Sequence, residues 1–173
     1  NSINAGMPQI EKATKDLNLN QYYEQALDLI VSGRARESFD LASESHATRE
    51  QYGRNTFGDS CLLARRLIEK GVRFVEIEHG GWDNHNKIYD SFNSRAGQLD
   101  TAIASLMDDL QQRGLLSKTM IVLSTEFGRT PKINANAGRD HHPGCFSAML
   151  AGAARGGGKC DAARFVSPGW AGG

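Results

Sequence analysis

A long amphipathic helix, predicted between two strand-like runs, constrains the fold more than any other part of this chain. The helix is predicted over residues 91–113, and apolar runs occupy 72–78 before it and 119–125 after it. A strand, a crossover helix and a further strand form a βαβ unit with parallel strands. The sequence therefore predicts an α/β fold with a parallel sheet, to which 146–151 adds a third strand. The helix prediction depends on one apolar face with spacings of four, three and four: Leu99, Ile103, Leu106 and Leu110.

Composition is consistent with one globular domain and gives no argument for a nucleic-acid or membrane partner. The chain has 173 residues, of which 39% are hydrophobic and 23% are charged. Lysine and arginine together number 20, as do aspartate and glutamate, so the zero net charge predicts neither nucleic acid nor an anionic membrane as a partner. No apolar run is long enough to predict a membrane span. We predict a helical leader over 1–34, an α/β region over 35–158 and a disordered Gly/Ala-rich tail over 159–173.

Several familiar catalytic motifs are missing from the sequence. The three cysteines form no Cys-x-x-Cys pair, which argues against a thiolate zinc site. The glycines near Lys159 do not match a phosphate-binding loop, and no Gly-x-Ser-x-Gly motif is present. The chain begins at Asn1 rather than Met, so we expect an internal piece of a longer protein.

The first polar cluster follows the run at 72–78. Asp83 and His85 are two residues apart, so in a loop both side chains can point into one cavity. Gly80 and Gly81 before them allow a close backbone approach. A metal site and an ordinary solvated turn are equally good interpretations of this spacing.

The second cluster is at the end of the run at 119–125. Glu126 follows that run directly, and Arg129 comes three residues later. A carboxylate at the end of a buried strand needs a cationic partner. That partner is either a metal ion or Arg129 itself, and the sequence does not decide between them.

The third cluster is Asp140-His141-His142. Neighbouring side chains in an extended segment diverge, so we expect only one of His141 and His142 to face a site. Imidazole and carboxylate groups bind zinc, manganese or iron, and carboxylates also suit calcium or magnesium. All three clusters fall at the predicted edge of the sheet where α/β proteins bind ligands. The sequence therefore predicts a metal-dependent site there.

Six motifs occur along the chain: Tyr52 to Gly58, Cys61 to Leu67, Gly71 to Val75, Gly80 to His85, Glu126 to Pro131 and Gly138 to His141. In this order they resemble the uncharacterised bacterial sulfatase-like family of the alkaline phosphatase superfamily. The resemblance covers about residues 35–158. It implies a parallel-sheet, three-layer α/β fold and divalent-metal-dependent hydrolysis of sulfate or phosphate esters of small molecules or glycans. It also implies export, for example to the periplasm.

The resemblance assigns roles to individual residues of this chain. It implies that Arg129 holds a substrate oxyanion. Phe127 departs from the family pattern, in which a histidine or asparagine usually follows the acidic ligand. The metal ion, whether zinc, calcium, magnesium or manganese, would be held by ligands from this set: Asp83, His85, Glu126, Asp140 and His141.

A second departure concerns the N-terminal part of the chain. The superfamily takes one metal-binding aspartate and its nucleophile from an N-terminal strand, which residues 1–50 do not supply. We therefore expect an incomplete, inactive fragment whose partner is the missing N-terminal half of its own domain. Two alternatives stay open at this point. One is a non-catalytic metal- or ligand-binding module on the same fold, and the other is a fragment that cannot fold alone because its sheet edge is exposed.

Overall fold

The computed structural model describes residues 34–153 and 161–166, together with helical positions at Gln21, Tyr23, Glu24 and Leu27. Most of the predicted leader therefore lies outside the described residues. The helices are α1 (Arg34–Phe39), α2 (His46–Gln51), α3 (Thr56–Glu69) and α4 (Ile88–Gln112), and 3-10 turns occupy Leu41–Ser43 and Leu116–Lys118. The strands are β1 (Met120–Ser124), β2 (Gly128–Arg129), β3 (His141–His142), β4 (Cys145–Gly152) and β5 (Asp161–Val166).

The apolar pattern of the sequence predicts a helix over residues 61–70 that is capped by Asp59 or Ser60, and helix α3 begins earlier than that. The side chain of Asn55 caps the helix by accepting hydrogen bonds from the backbone N–H groups of Phe57 and Gly58, both at 3.1 Å. Gly58 has to lack a side chain, because a Cβ there would lie 1.9 Å from the carbonyl oxygen of Tyr52. The predicted helix is thus confirmed, but the capping residue is Asn55 rather than Asp59 or Ser60.

The core lies between α3, α4 and the first strand of the sheet. Helix α4 confirms the long helix predicted from the sequence, and Leu106 and Leu110 on it are buried. Burial raises the pKa of Cys61 to about 12, in keeping with a core thiol. None of the described helices has the length and apolar character needed to span a membrane. The buried cluster comprises Tyr52, Phe57, Cys61, Leu62, Ala102, Leu106, Leu110, Leu116, Ile121 and Ala151.

The strands are antiparallel, so the predicted parallel-sheet, three-layer fold is wrong. One sheet has the order β1-β4-β5, and β2 and β3 form a separate two-stranded sheet. Every strand pair in the described part of the chain is antiparallel. The strands predicted at 119–125 and 146–151 do exist, as β1 and β4, which pair with Ile121 opposite Ala151. Within the segment predicted as a tail, Asp161–Val166 form β5.

The predicted parallel pairing fails because the run at 72–78 is not a strand of either sheet. It has no regular secondary structure in the described chain, although its burial alternates with a period of two around Val75 and Ile77. A cavity of about 1890 Å³ separates it from β1. Without a paired first strand, α4 is not a crossover between parallel strands.

A buried ionic cluster joins α3 to α4. The side chain of Arg65 is only 2% exposed and donates a hydrogen bond to Glu69 at 2.8 Å. Its remaining nitrogens lie 2.9 Å from carboxylate oxygens of Glu44 and Asp109, as ion pairs rather than aligned hydrogen bonds. The hydroxyl of Tyr52 donates to Asp109 at 3.1 Å. A buried arginine with three carboxylates thus ties the two longest helices together.

Candidate metal centre

Three side chains from two distant loops converge on one point. The Nε2 atoms of His85 and His141 lie 3.0 Å apart. Oδ1 of Asp83 lies 3.0 Å from Nε2 of His85 and 2.9 Å from Nε2 of His141. Ligand atoms that lie about 2.1 Å from one metal ion, with ligand–metal–ligand angles of about 90°, are about 3 Å from one another. The triangle formed by these three atoms therefore has the size of one face of a metal coordination shell. Asp83, His85 and His141 therefore form a cluster able to bind a metal ion.

Asp83 carries the negative charge of this cluster. Its Oδ1 also accepts a hydrogen bond from Nη2 of Arg129 at 2.5 Å. The hydrogen bond from His141, and then the one from Arg129, lower the pKa of Asp83 from 3.8 to about 2. Asp83 is therefore an ionised carboxylate at neutral pH, as a metal ligand must be.

Asp140 orients His85 from the side opposite the cluster. Nδ1 of His85 lies 2.9 Å from Oδ1 of Asp140, and the same oxygen accepts a hydrogen bond from Asn134 at 3.1 Å. These two hydrogen bonds, the one with His85 first, lower the pKa of Asp140. A proton on Nδ1 shared with Asp140 leaves the Nε2 lone pair facing the cluster, which is the arrangement by which carboxylates support histidine ligands.

Backbone hydrogen bonds hold the two loops together. The N–H of Arg139 donates to the carbonyl of Asn84 at 3.0 Å, and the side chain of Asn134 donates to the carbonyl of His85 at 2.9 Å. A Cβ on Gly138 would lie 2.0 Å from the carbonyl carbon of His85, so only glycine permits this approach. Contacts between loops, rather than neighbouring ends of parallel strands, thus bring the polar clusters together.

The β2–β3 pairing explains why His141 and His142 differ. His141 lies opposite Arg129 and His142 lies opposite Gly128. Side chains alternate between the faces of a strand, and His141 is the one that joins the cluster. His141 is therefore the histidine of the pair that belongs to the candidate metal cluster.

Glu126 lies apart from the cluster. Its side chain is exposed, and Arg129, the alternative partner that the sequence offered for it, pairs with Asp83 instead. Glu126 does line the same cavity as Asp83 and His141. The structure brings together Asp83, His85, His141, Asp140 and Arg129, while the role of Glu126 as a ligand stays a prediction.

Phe127 and Asn134 are residues that sequence reasoning did not assign to the site. The ring of Phe127 packs against His141 with centroids 4.3 Å apart, and the Cζ atom of Arg129 lies 5.7 Å from its centre. Oδ1 of Asn134 accepts the backbone N–H groups of Asn136 and Gly138, both at 2.9 Å. The sequence signal for this turn is the presence of Asn and Gly residues in the loop, because both residue types favour turns capped by a side chain.

The fold and the cluster define a protein with helices packed on small antiparallel sheets and a candidate metal centre between two loops. The chain belongs to the family described as protein of unknown function (DUF1501), whose family model matches residues 1–163. No curated protein and no solved structure matches the chain. The description of this family names no activity, so the resemblance to sulfatases and phosphatases stays a prediction.

Proposed function

We propose that this chain contributes a divalent-metal site to a metal-dependent hydrolase of sulfate or phosphate esters. The observation that carries the proposal is the convergence of Asp83, His85 and His141, whose ligand atoms are all about 3 Å from one another. Two loops of the chain are joined by backbone hydrogen bonds around this point. Such preorganisation is what a metal site requires.

The donor set narrows the choice of metal ion. One carboxylate oxygen and two imidazole nitrogens suit zinc, manganese or iron better than calcium or magnesium, which prefer oxygen ligands. Asp140 supports one of the two histidines through its Nδ1 atom. Of the ions predicted from the sequence, zinc and manganese therefore fit this cluster best.

Arg129 is the residue suited to bind the ester's anionic group. Its guanidinium is positioned by Asp83 and by the carbonyl of Arg139, to which Nη1 donates at 3.2 Å. Arginine stays protonated at all relevant pH values and its planar group binds sulfate and phosphate oxygens well. A bound divalent ion would polarise the ester and lower the pKa of a water molecule. The nucleophile is expected from outside this chain.

Hydrolysis of p-nitrophenyl sulfate and p-nitrophenyl phosphate by the full-length protein tests the proposal. We expect activity that is lost on chelation and restored by zinc or manganese. Arg129→Met should raise KM for the anionic ester without abolishing metal binding. Activity unchanged by chelation would contradict the metal role.

The rival function is a metal-binding module without catalysis. One observation favours it: the ligand side chains are open to solvent, with exposures of 65% for Asp83 and 44% for His85 and for His141. Catalytic metal sites depend on a dry, shaped cavity. Stoichiometric metal binding by the full-length protein, without turnover of either ester, would support the rival.

A further inference from the structure

A large cavity of the described chain lies between the segment 72–82 and β1. Its volume is about 1890 Å³, and the helix face carrying Leu99, Ile103 and Leu106 contributes to its wall. Pockets for small molecules are typically about 300–1,000 Å³, so this cavity exceeds what one such ligand fills. This volume suits a longer apolar segment better than one small ligand.

Apolar side chains stand exposed on both walls of this cavity. Phe74 is 79% exposed on one side, and Met120 and Val122 on β1 are 58% and 57% exposed on the other. Isolated exposed apolar residues are normal, but a contiguous set that lines one large cavity marks an interaction surface. The surface is uncharged along β1, from Met120 to Ser124.

The backbone on both walls of the cavity has N–H and C=O groups available for strand pairing. β1 bonds to β4 along one edge, and its other edge faces the cavity. Across the cavity, the backbone from Phe74 to Gly81 makes no hydrogen bond with the backbone of any described residue. Burial in that segment alternates with the period of a strand, Val75, Ile77 and His79 being the less exposed positions. Both walls therefore present backbone donors and acceptors that an inserted strand would satisfy.

We propose that an uncharged, apolar β-strand from a separate polypeptide segment inserts between 74–81 and β1 and pairs with both. A strand of about five to six residues matches β1, which runs from Met120 to Ser124. Strand addition to an open edge draws its affinity from backbone hydrogen bonds and its specificity from alternate side chains. This inference does not depend on metal binding, and its occupant is a strand that the described residues of this chain do not supply.

Two other occupants fit the cavity less well. A second copy would bring its own β1, which is already bound to β4 and cannot enter as a single strand. The described positions Gln21, Tyr23, Glu24 and Leu27 are helical and would have to unwind to enter as a strand. An uncharged strand supplied from elsewhere satisfies both walls without breaking an observed element.

Hydrogen exchange on the 173-residue chain tests the proposal. The probe is a synthetic peptide of about five alternating valine and isoleucine residues between flanking lysines. We expect it to slow amide exchange about tenfold or more in both 74–81 and Met120–Ser124. A peptide methylated at alternate backbone nitrogens, which has the same side chains but fewer donors, should not slow exchange.

Substitutions separate strand pairing from non-specific contact. Val122→Lys places a charge on the cavity wall and should abolish the slowing, whereas Phe39→Lys should leave it unchanged. Phe39 is 61% exposed and does not line the cavity, which makes it a matched control. The proposal is overturned by equal slowing with the methylated peptide, by slowing in neither segment, or by protection that appears without peptide as protein concentration rises.

Discussion

The Nε2 atoms of His85 and His141 lie 3.0 Å apart although 56 positions separate them in the sequence. Both also lie within 3.0 Å of Oδ1 of Asp83. This relationship is the basis of the proposed metal site, and the predictions below test how it is built.

Asp140 should act on the metal through His85 rather than bind it. Asp140→Ala removes the acceptor for Nδ1 of His85, and we expect zinc affinity to fall about 10–100-fold. Nitrogen NMR of the His85 ring should show the Nδ1-protonated tautomer in the wild type and its loss in the variant. Asp108→Ala, an exposed change on α4, is the control. An unchanged tautomer with unchanged affinity would remove Asp140 from the site.

Gly138 should be intolerant of any side chain. In Gly138→Ala the new Cβ would meet the backbone of His85, and we expect a loss of about 1–3 kcal/mol in the free energy of unfolding, with weaker zinc binding. At Gly97 on α4, an added Cβ would have no atom within 4 Å, so Gly97→Ala should instead stabilise by about 0.5–1 kcal/mol. Urea unfolding measures both. Effects of the same sign would argue against the close approach of the two loops.

Arg65 should be the most sensitive charged residue of the helical core. Arg65→Met removes the buried cation that pairs with the carboxylates of Glu44, Glu69 and Asp109. We expect the free energy of unfolding to fall by about 3–5 kcal/mol. The control, Arg54→Met, breaks an exposed ion pair with Glu50 and should lower the free energy of unfolding by less than about 1 kcal/mol. Equal effects in urea unfolding would mean that burial of Arg65 does not matter.

Glu44 should make stability depend on pH. Burial alone would raise the pKa of Glu44, but the hydrogen bond from Arg66 and the positive charge of Arg65 outweigh burial and hold this pKa below the ordinary 4.5. A pKa lowered by folding contributes stability above the unfolded-state value, and that stability is lost as pH falls through the folded-state value. The wild type should therefore be more stable than Glu44→Gln above about pH 4.5, and this difference in the free energy of unfolding should shrink as the pH falls below that value.

The measurement for Glu44 is the free energy of unfolding of both proteins across this pH range. The control is Glu50→Gln, in the exposed pair with Arg54, for which we expect a small difference at every pH. A constant gap between wild type and Glu44→Gln down to the lowest pH would show that the ion pairs do not set the pKa of Glu44.

Local sequence patterns predicted the elements but not their arrangement. The spacing of Leu106 and Leu110 was enough to place α4, and the apolar run after it was enough to place β1. The parallel sheet was wrong because it assumed that Val75 and Ile77 belong to a paired strand. Pairing depends on a partner strand, and periodicity reports only which side chains alternate.

The site was predicted in part for a similar reason. Asp83, His85 and His141 were identified from residue type, and the structure brings all three together. The distinction between a ligand and a supporting carboxylate at Asp140 depends on which ring nitrogen it faces. That orientation comes from loop contacts through Asn134 and Gly138, which spacing in the sequence does not encode.

Zinc titration calorimetry on three proteins tests the central claim most directly. The wild type should bind one zinc ion per chain, and His85→Ala should bind it more weakly by over about a hundredfold, since losing a ligand costs more than losing its support. His46→Ala, an 80% exposed histidine away from the cluster, should bind like the wild type. Equal binding by all three proteins would contradict a metal site at Asp83, His85 and His141.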